Sequence, residues 1–196
     1  MVKPCEQRSD ADLAHAAQAG DRRAFDQLTR RHAAAVLRLA KALTGNAALA
    51  EDVTQQAFLA AFRGIGGFRG DASLRTWLLT ITRHTAYRMR AKHAKERPVD
   101  EPLAKLGEDA GWGSPDPETL AILAQRRTLL KRALDSLSAS DREVLVLRDI
   151  EQVTGPEAAA ILGLELRATK SRLHRARLRL AAALRTLRAD EGDRHG

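Results

Sequence analysis

The sequence predicts an all-α protein of two helical domains joined by a linker. Apolar residues recur three or four positions apart along most of the 196-residue chain, and no segment alternates apolar and polar residues as a half-buried strand does. One central stretch breaks this pattern with prolines, glycines and acids, which cannot sustain a long helix. The sequence therefore predicts an N-terminal domain over residues 9–95, a linker over 96–117 and a C-terminal domain over 118–188.

Four helices are predicted in the N-terminal domain from their start and stop signals. Residues that can cap a helix mark the starts, at Ser9 or Asp10, near Asp21, at Asn46 and at Ser73. Glycines mark the ends of the first two helices, Gly20 and Gly45. The residues expected to face the core are Phe25, Leu28, Val36, Leu39, Leu43, Leu49, Val53, Ala57, Phe58, Leu74, Trp77 or Leu78, Ile81 and Thr85.

A glycine-dense stretch separates the third helix from the fourth. Residues 64–73 read GIGGFRGDAS and are expected to form a loop, because glycine disfavours helix. Phe58 and Phe62 lie four apart on one helix and are expected in the core, whereas Phe68, between Gly67 and Arg69, is expected to be exposed.

The linker is acidic within a basic chain. Four of the six prolines fall between residues 98 and 117, and Val99–Glu118 contains six acids and one lysine. Its charge fits two functions equally well: mimicry of nucleic acid in a basic channel, or the solubility of a simple tether.

The C-terminal domain is predicted to end in a helix-turn-helix. A first helix carries Leu120, Leu123, Leu130 and Leu134, and a second spans Ser140–Asp149, with Val144, Leu145 and Leu147 expected to pack under the last helix. Thr154 and Glu157 form a capping-box pattern with Pro156 in the first turn, and Gly163 is placed to end that short helix. A basic helix starts two or three residues later, as in helix-turn-helix domains that place their second helix in the major groove.

The last helix, Arg167–Leu187, is predicted to bind a polyanion. Between Arg167 and Arg188 there are eight Lys or Arg residues and no acid, with Arg172, Arg175 and Arg179 in one basic row. The alternative, an ordinary solvated helix, usually mixes both signs of charge. Its apolar residues form a separate stripe at helical spacing, Leu173, Ala176, Leu180, Leu184 and Leu187.

Composition favours an anionic partner and a reducing compartment. The net charge is 33 − 25 = +8, and a second cationic run covers Arg83, Arg88, Arg90, Lys92, Lys95 and Arg97. The single cysteine, Cys5, excludes an internal disulfide, and no apolar run reaches the length of a membrane span, so we expect a cytoplasmic protein. The sequence shows no clustered carboxylates, metal-ligand spacing or nucleophile motif, and we expect no metal, no cofactor and no enzymatic activity.

Three segments, in this order, resemble the extracytoplasmic-function group of bacterial sigma factors. AEDVTQQAF at 50–58 is similar to the polymerase-docking segment, FRGDASLRTWLLTI at 68–81 to the segment that opens the −10 element, and residues 147–180 to the −35-reading domain. The resemblance implies a sigma-2-like bundle followed by a sigma-4-like helix-turn-helix domain. It implies that the partners are core RNA polymerase (β′ and β subunits) and promoter DNA, with no small-molecule substrate. Members are commonly held inactive by an anti-sigma factor, often at the membrane, so such a partner is also expected.

The resemblance also implies which residues form each site. Core polymerase would be bound by Glu51, Asp52, Gln55 and Gln56. The −10 DNA would be bound by Phe68, Arg69, Arg75, Trp77, Arg83, His84, Tyr87 and Arg88, with Phe68 and His84 lining a pocket for a flipped base. The −35 DNA would be bound by Lys170, Ser171, His174 and Arg175 at base edges, and by Arg167, Arg172 and Arg177 nearer phosphates.

Several positions depart from the family pattern. His84 stands where Asn is usual, Arg88 where Asp is usual, and Arg167 where Gly is usual. Ala168-Thr169 likewise replace Thr-Val. Two other functions are compatible with parts of the sequence: a one-component helix-turn-helix transcription regulator, and a helical nucleic-acid hydrolase, which the absence of a catalytic motif disfavours.

Overall fold

The computed structural model describes residues 8–96 and 117–192, and within these ranges it is all-α. The N-terminal domain contains α1 (Asp10–Gln18), α2 (Arg22–Thr44), α3 (Ala47–Gly64), a 3₁₀ turn (Ile65–Gly67) and α4 (Leu74–Glu96). The C-terminal domain contains α5 (Pro117–Asp135), α6 (Ala139–Leu145), a π turn (Val146–Ile150), α7 (Gly155–Leu162) and α8 (Leu166–Gly192). The predicted fold class of two helical domains is confirmed. All of the predicted linker except its two end residues lies outside the described residues.

The predicted helix starts are confirmed by capping hydrogen bonds. The Asn46 side chain accepts from the backbone N–H of Leu49 at 2.8 Å, and the Ser73 hydroxyl accepts from that of Thr76 at 3.1 Å. Gly45 ends α2 with φ 68°, a left-handed conformation that glycine adopts without a steric penalty. These signals lie within a few residues of the helix ends that they determine.

The segment between α3 and α4 is more ordered than predicted. Residues 64–73 were expected to be a loop throughout, but α3 extends to Gly64 and a 3₁₀ turn follows over Ile65–Gly67. The Gln18 amide donates to the carbonyl of Ile65 at 3.0 Å and to that of Phe68 at 2.7 Å. Ile65 is itself buried, so both a core side chain and α1 fix this turn.

Two aromatic residues near this turn differ from prediction in their burial: Phe62 is more exposed, and Phe68 more buried, than expected. Phe62 is 44% exposed, with its ring against that of Phe25 at 5.1 Å, and is not a core residue as predicted. Phe68 is partly buried against Trp77, with ring centroids 5.2 Å apart, and is not fully exposed. The buried positions of α3 are Ala50, Val53, Ala57 and Ala61, so Phe58 and Phe62 each lie one position, about 100°, off that stripe.

The helix-turn-helix has the predicted local geometry. The Thr154 hydroxyl accepts from the backbone N–H of Glu157, while the Glu157 carboxylate accepts from that of Thr154 at 2.8 Å. Gly163 ends α7 with φ 65°. Leu173 and Ala176 on α8 are buried, and Val144, Leu145 and Leu147 belong to the same cluster of buried side chains. This packing fixes which face of α8 remains in solvent.

We predict that Thr154→Ala destabilises the protein by about 1 kcal/mol, because it removes the N-cap acceptor of α7. The free energy of unfolding would be measured by urea titration. The matched control is Thr186→Ala, which removes the same atoms from an exposed position in the body of α8. A Thr154→Ala midpoint equal to that of the control would contradict the cap's contribution.

The two domains pack directly against each other. Helix α2 contacts α6, and α4 contacts α7. One cluster of buried side chains is continuous between the domains and includes Leu39 and Leu43 of α2 together with Leu145 and Val146 of the C-terminal domain. The Arg142 guanidinium also donates to the Ala42 carbonyl at 2.9 Å.

Candidate nucleic-acid and protein interfaces

The polar residues predicted to bind polymerase form an exposed edge of α3. Glu51, Asp52, Gln55 and Gln56 are all exposed, while the opposite side of the helix is buried at Val53 and Ala57. Leu59, one turn beyond Gln55, is 47% exposed and extends this edge with an apolar side chain. Sequence reasoning missed Leu59, although its spacing of four from Gln55 was a usable signal.

An aromatic pair lies where the predicted −10 loop joins α4. The Phe68 and Trp77 rings are tilted by 48° and pack against the N-terminal core. Arg69 is exposed beside them and bonds Asp71 at 3.1 Å. The loop thus presents ring surface and a cation together, which are the groups that bind an unstacked base.

The predicted −10 residues of α4 fall on two faces of the helix. Trp77, His84 and Arg88 are spaced seven and four apart on one face, and both His84 and Arg88 are exposed. Arg83 and Tyr87 lie on a neighbouring face, with the Arg83 guanidinium 4.8 Å from the centre of the Tyr87 ring.

Acids of the C-terminal domain contact this second face. The Glu143 carboxylate accepts from Arg83 at 2.8 Å and from the Tyr87 hydroxyl at 3.2 Å. The Glu151 carboxylate accepts from Arg75, and also from Arg38 of α2 at 2.5 Å. Both glutamate side chains are fully buried. The structure therefore brings three of the predicted −10 residues into contact with the other domain.

Burial and charge act differently on these two acids. Burial raises the pKa of Glu143, and the nearby Arg83 offsets only part of that effect. Burial also disfavours ionised Glu151, but hydrogen bonds from Arg38 and Arg75 outweigh it and lower the pKa of that carboxyl. The pKa of Tyr87 is raised by burial and by the Glu143 charge. Glu151 is therefore held in its anionic form at neutral pH.

Sequence reasoning missed both glutamates. Glu143 directly precedes Val144 and Leu145, residues that were expected to be buried, and an acid among buried positions requires a cationic partner. The sequence could therefore have predicted that Glu143 is paired with a cation, but not that the cation is Arg83.

The predicted −35 residues of α8 divide into two groups. Arg167, Lys170, Ser171, His174 and Arg175 are exposed on the outward face of the helix. Arg177 instead pairs with Asp149 at 2.5 Å, and Arg172 is partly buried and close enough to Glu143 to oppose the rise in the pKa of that acid. Arg179, which belongs to the predicted basic row and not to the −35 set, pairs with Asp141 at 2.7 Å. The expectation of an uncompensated cationic face is thus wrong for Arg172, Arg177 and Arg179, because acids outside α8 approach them.

The described residues were also examined for metal-binding clusters and membrane-spanning helices. Within residues 8–96 and 117–192, no group of three or more His, Cys, Asp or Glu side chains is arranged to hold a metal ion. In the same ranges, no helix combines the length and the apolar character needed to cross a membrane. Cys5 and Arg97 lie outside the described residues.

Comparison with known proteins gives two family matches in the order of the two domains. Residues 28–96 match the model of sigma-70 region 2, and residues 127–180 match that of sigma-70 region 4. The α4 face described above therefore lies in the region 2 match, and the exposed α8 face begins in the region 4 match.

The chain is also similar along most of its length to curated proteins. The ECF RNA polymerase sigma factor SigM of Mycobacterium tuberculosis is 36% identical over 178 residues, which cover 91% of this chain and 86% of SigM. The RNA polymerase sigma factor CnrH of Cupriavidus metallidurans is 35% identical over 184 residues, covering 89% of this chain and 95% of CnrH. The ECF RNA polymerase sigma-E factor of Escherichia coli is 30% identical over 177 residues, covering 88% and 92%.

Two solved structures share the fold. CnrH, solved in complex with the cytosolic domain of CnrY, superposes with a TM-score of 0.63 at 30% identity and covers 91% of this chain and 99% of the solved chain. The sigma factor RpoE of Bartonella quintana, solved in complex with the anti-sigma factor NepR, superposes with a TM-score of 0.66 at 28% identity and covers 82% and 96%.

Proposed function

The chain belongs to the extracytoplasmic-function family of RNA polymerase sigma factors. We propose that it uses three separate surfaces in initiation, one for core polymerase, one for the −10 element and one for the −35 element. As a member of this family it binds core RNA polymerase and directs transcription initiation from promoters. The alternative of a one-component regulator is disfavoured, because the relatives are sigma factors along nearly the whole chain.

The first surface is the exposed edge of α3, which docks on core polymerase. Glu51, Asp52, Gln55 and Gln56 offer carboxylates and amides to a partner, and all four are exposed beside a well-buried helix face. Because the edge lies on a regular helix, the backbone positions from which its side chains project are fixed before binding, which reduces the backbone entropy lost on association.

The second surface receives the −10 element. Phe68 and Trp77 supply ring surface for an extruded base, and Arg69, His84 and Arg88 supply exposed polar and cationic groups nearby. Arg75, Arg83 and Tyr87 complete this surface when the C-terminal domain does not cover them. Stacking on an aromatic ring rewards only a base that has left the duplex, so this surface favours the melted state.

The third surface reads the −35 element and carries the proposal most directly. The observation is an exposed row of cationic and polar side chains on α8, the second helix of a helix-turn-helix. Lys170, Ser171, His174 and Arg175 would lie at base edges, and Arg167, Arg172 and Arg177 nearer phosphates.

In vitro transcription tests the function as a whole. The purified chain, added to core polymerase that lacks any sigma factor, is expected to yield transcripts from a limited set of sites on a genomic template. Tight binding to duplex DNA without polymerase, combined with no transcript in its presence, would favour the regulator instead.

A pair of substitutions on α8 tests the division between base-reading and phosphate-binding residues. Arg175→Ala should reduce the free energy of promoter binding by about 1–3 kcal/mol and relax the preference for one base pair of the −35 element. Arg177→Ala should weaken binding to all promoters by the same factor and lower the slope of log affinity against log salt by up to about 0.9. The change in slope is smaller if Asp149 already neutralises the arginine.

The measurement is binding of the polymerase holoenzyme to a library of −35 variants at several salt concentrations. Arg185→Ala, an exposed arginine further along α8, is the matched control for the loss of one charge. If each substitution weakens binding to every −35 variant by one constant factor, the division between base-reading and phosphate-binding residues is wrong.

Two further roles are consistent with the family. Because CnrH was solved with the cytosolic domain of CnrY, and RpoE with the anti-sigma factor NepR, we expect an anti-sigma factor to control this chain as well. We place the chain in the cytoplasm with its polymerase, where an anti-sigma factor can also hold it at the membrane. The polymerase performs the synthesis, and this chain supplies recognition and strand opening without covalent chemistry of its own.

A further inference from the structure

The side-chain amide of Gln18 bonds both ends of the turn that precedes Phe68. Its nitrogen donates to the Ile65 carbonyl at 3.0 Å and to the Phe68 carbonyl at 2.7 Å. The backbone N–H of Phe68 donates to the same Ile65 carbonyl at 3.0 Å and closes the 3₁₀ turn. Because an amide nitrogen carries two N–H donors, Gln18 fixes the start and the end of the turn relative to each other and to α1.

Helix α1 gives Gln18 a fixed position. Leu13 is buried in the N-terminal core. The Asp10 carboxylate accepts from the Arg31 guanidinium at 2.5 Å and lies 2.8 Å from Nε2 of His32, so α2 also holds this helix. Gln18 is the last residue of α1, and its side chain is exposed. It therefore acts on the turn through hydrogen bonds and not through core packing.

The turn is rich in glycine and needs such a restraint. Gly64, Gly66 and Gly67 are three of the four residues from 64 to 67, and glycine loses more conformational freedom on ordering than any other residue. A Cβ at Gly66 would meet no atom of the described residues within 4 Å, and its φ is not in the left-handed region. This conformation is thus open to alanine, and the bonds from Gln18 supply order that the residues of the turn do not.

The position of the Phe68 ring follows from the turn. Its ring packs on that of Trp77, with centroids 5.2 Å apart and planes tilted by 48°. A stacking surface that is formed before the base arrives lowers the conformational entropy lost on binding. Helix α1 precedes residue 28, where the sigma-70 region 2 match begins, so the restraint on this ring comes from outside that match.

We propose that Gln18 is a positioning residue for the −10 surface, which orders the turn before Phe68 and so holds the Phe68 ring ready for an extruded base. This inference rests on the proposed function for the role of Phe68. Gln18 acts through the turn and not on the base, because its amide nitrogen is engaged with two backbone carbonyls. Loss of the amide therefore lowers the population of the open complex and leaves the initial binding of duplex DNA unchanged.

The test variant is Gln18→Met, which keeps the length and the neutrality of the side chain and removes its donors. Hydrogen exchange of the Phe68 amide in the free chain, measured by NMR, should become about 5- to 30-fold faster, the factor expected for the loss of one or two hydrogen bonds. In the polymerase holoenzyme, permanganate reactivity of promoter thymines should report an open complex that is less populated by up to about the same factor. Closed-complex binding at low temperature should not change, whereas a general loss of stability would weaken both complexes.

The matched control is Gln125→Met, which makes the same change at an exposed position of α5. It should match the unaltered chain in exchange of the Phe68 amide, in closed-complex binding and in melting. If Gln18→Met exchanges its Phe68 amide or melts promoters as this control does, the proposal is overturned.

A second substitution restores order to the turn without restoring the amide. Gly66→Ala reduces the freedom of the unordered turn, and the double variant Gln18→Met/Gly66→Ala should recover about 2- to 5-fold of the lost protection and of the lost melting. Recovery of protection without recovery of melting would overturn the proposal, since order in the turn would then not govern the open complex. Failure of the proposed function is recognised separately, as no promoter opening by the unaltered chain with core polymerase.

Discussion

Replacing Asp52 and Gln55 with alanine is expected to weaken the binding of core polymerase and so to reduce promoter-dependent transcription. Both side chains are exposed on the same edge of α3, so their truncation leaves the core of the N-terminal domain unaltered. Residues at the centre of a protein interface can each contribute 2 kcal/mol or more, and a combined loss of about 2–3 kcal/mol corresponds to binding that is about 30- to 150-fold weaker.

The measurement is a titration of core polymerase with labelled sigma variant, read by fluorescence anisotropy. The matched control is Asp26→Ala/Gln125→Ala, which removes one carboxylate and one amide from exposed positions on α2 and α5. The control should bind as the unaltered chain does. Equal affinities of the two double variants would place the docking surface elsewhere on the molecule.

Phe68→Ala is expected to impair promoter melting far more than initial promoter binding. Stacking of one base on an aromatic ring contributes about 1–3 kcal/mol, so the open complex should become about 5- to 150-fold less populated. The loop itself should survive the change, because Gln18 bonds the backbone carbonyls of residues 65 and 68, which alanine retains.

Permanganate footprinting of unpaired thymines measures the open complex, and polymerase binding at low temperature measures the closed one. Phe68→Tyr keeps a ring face and should restore melting. Phe62→Ala removes a partly exposed ring that packs on Phe25, and it controls for a general loss of stability in this domain. Normal melting by Phe68→Ala would mean that the base is held by other residues.

The starts of α1 to α4 and of α7, and the ends of α2 and α7, were predicted from residues within a few positions of each end. Asn46, Thr154 and Gly163 act through hydrogen bonds or backbone conformations confined to one turn of helix. The buried stripe of α8 followed from its periodicity for the same reason. The sequence by itself thus determined the fold class, the helix-turn-helix and the cationic outward face of α8.

The partners of individual charges were decided only by the tertiary structure. Arg38 and Glu151 are 113 residues apart in sequence, and Arg83 and Glu143 are 60 apart. Periodicity reports which face of a helix is apolar but not which helix will cover it. For that reason the neutralisation of Arg177 and Arg179, and the contact of Glu143 with the −10 surface, were not predicted.

The same distinction explains the exchanged environments of Phe62 and Phe68. Both are large aromatic residues that could fill a core, and local pattern favoured the one within a helix. Packing of the alanine-lined face of α3 against its neighbours left Phe62 at the edge, while the 3₁₀ turn fixed by Gln18 carried Phe68 onto Trp77. Phe62 lies one residue off the buried stripe of α3, and Phe68 lies in a loop that is hydrogen-bonded to a distant helix. The burial of each side chain therefore depends on which surfaces pack together in three dimensions.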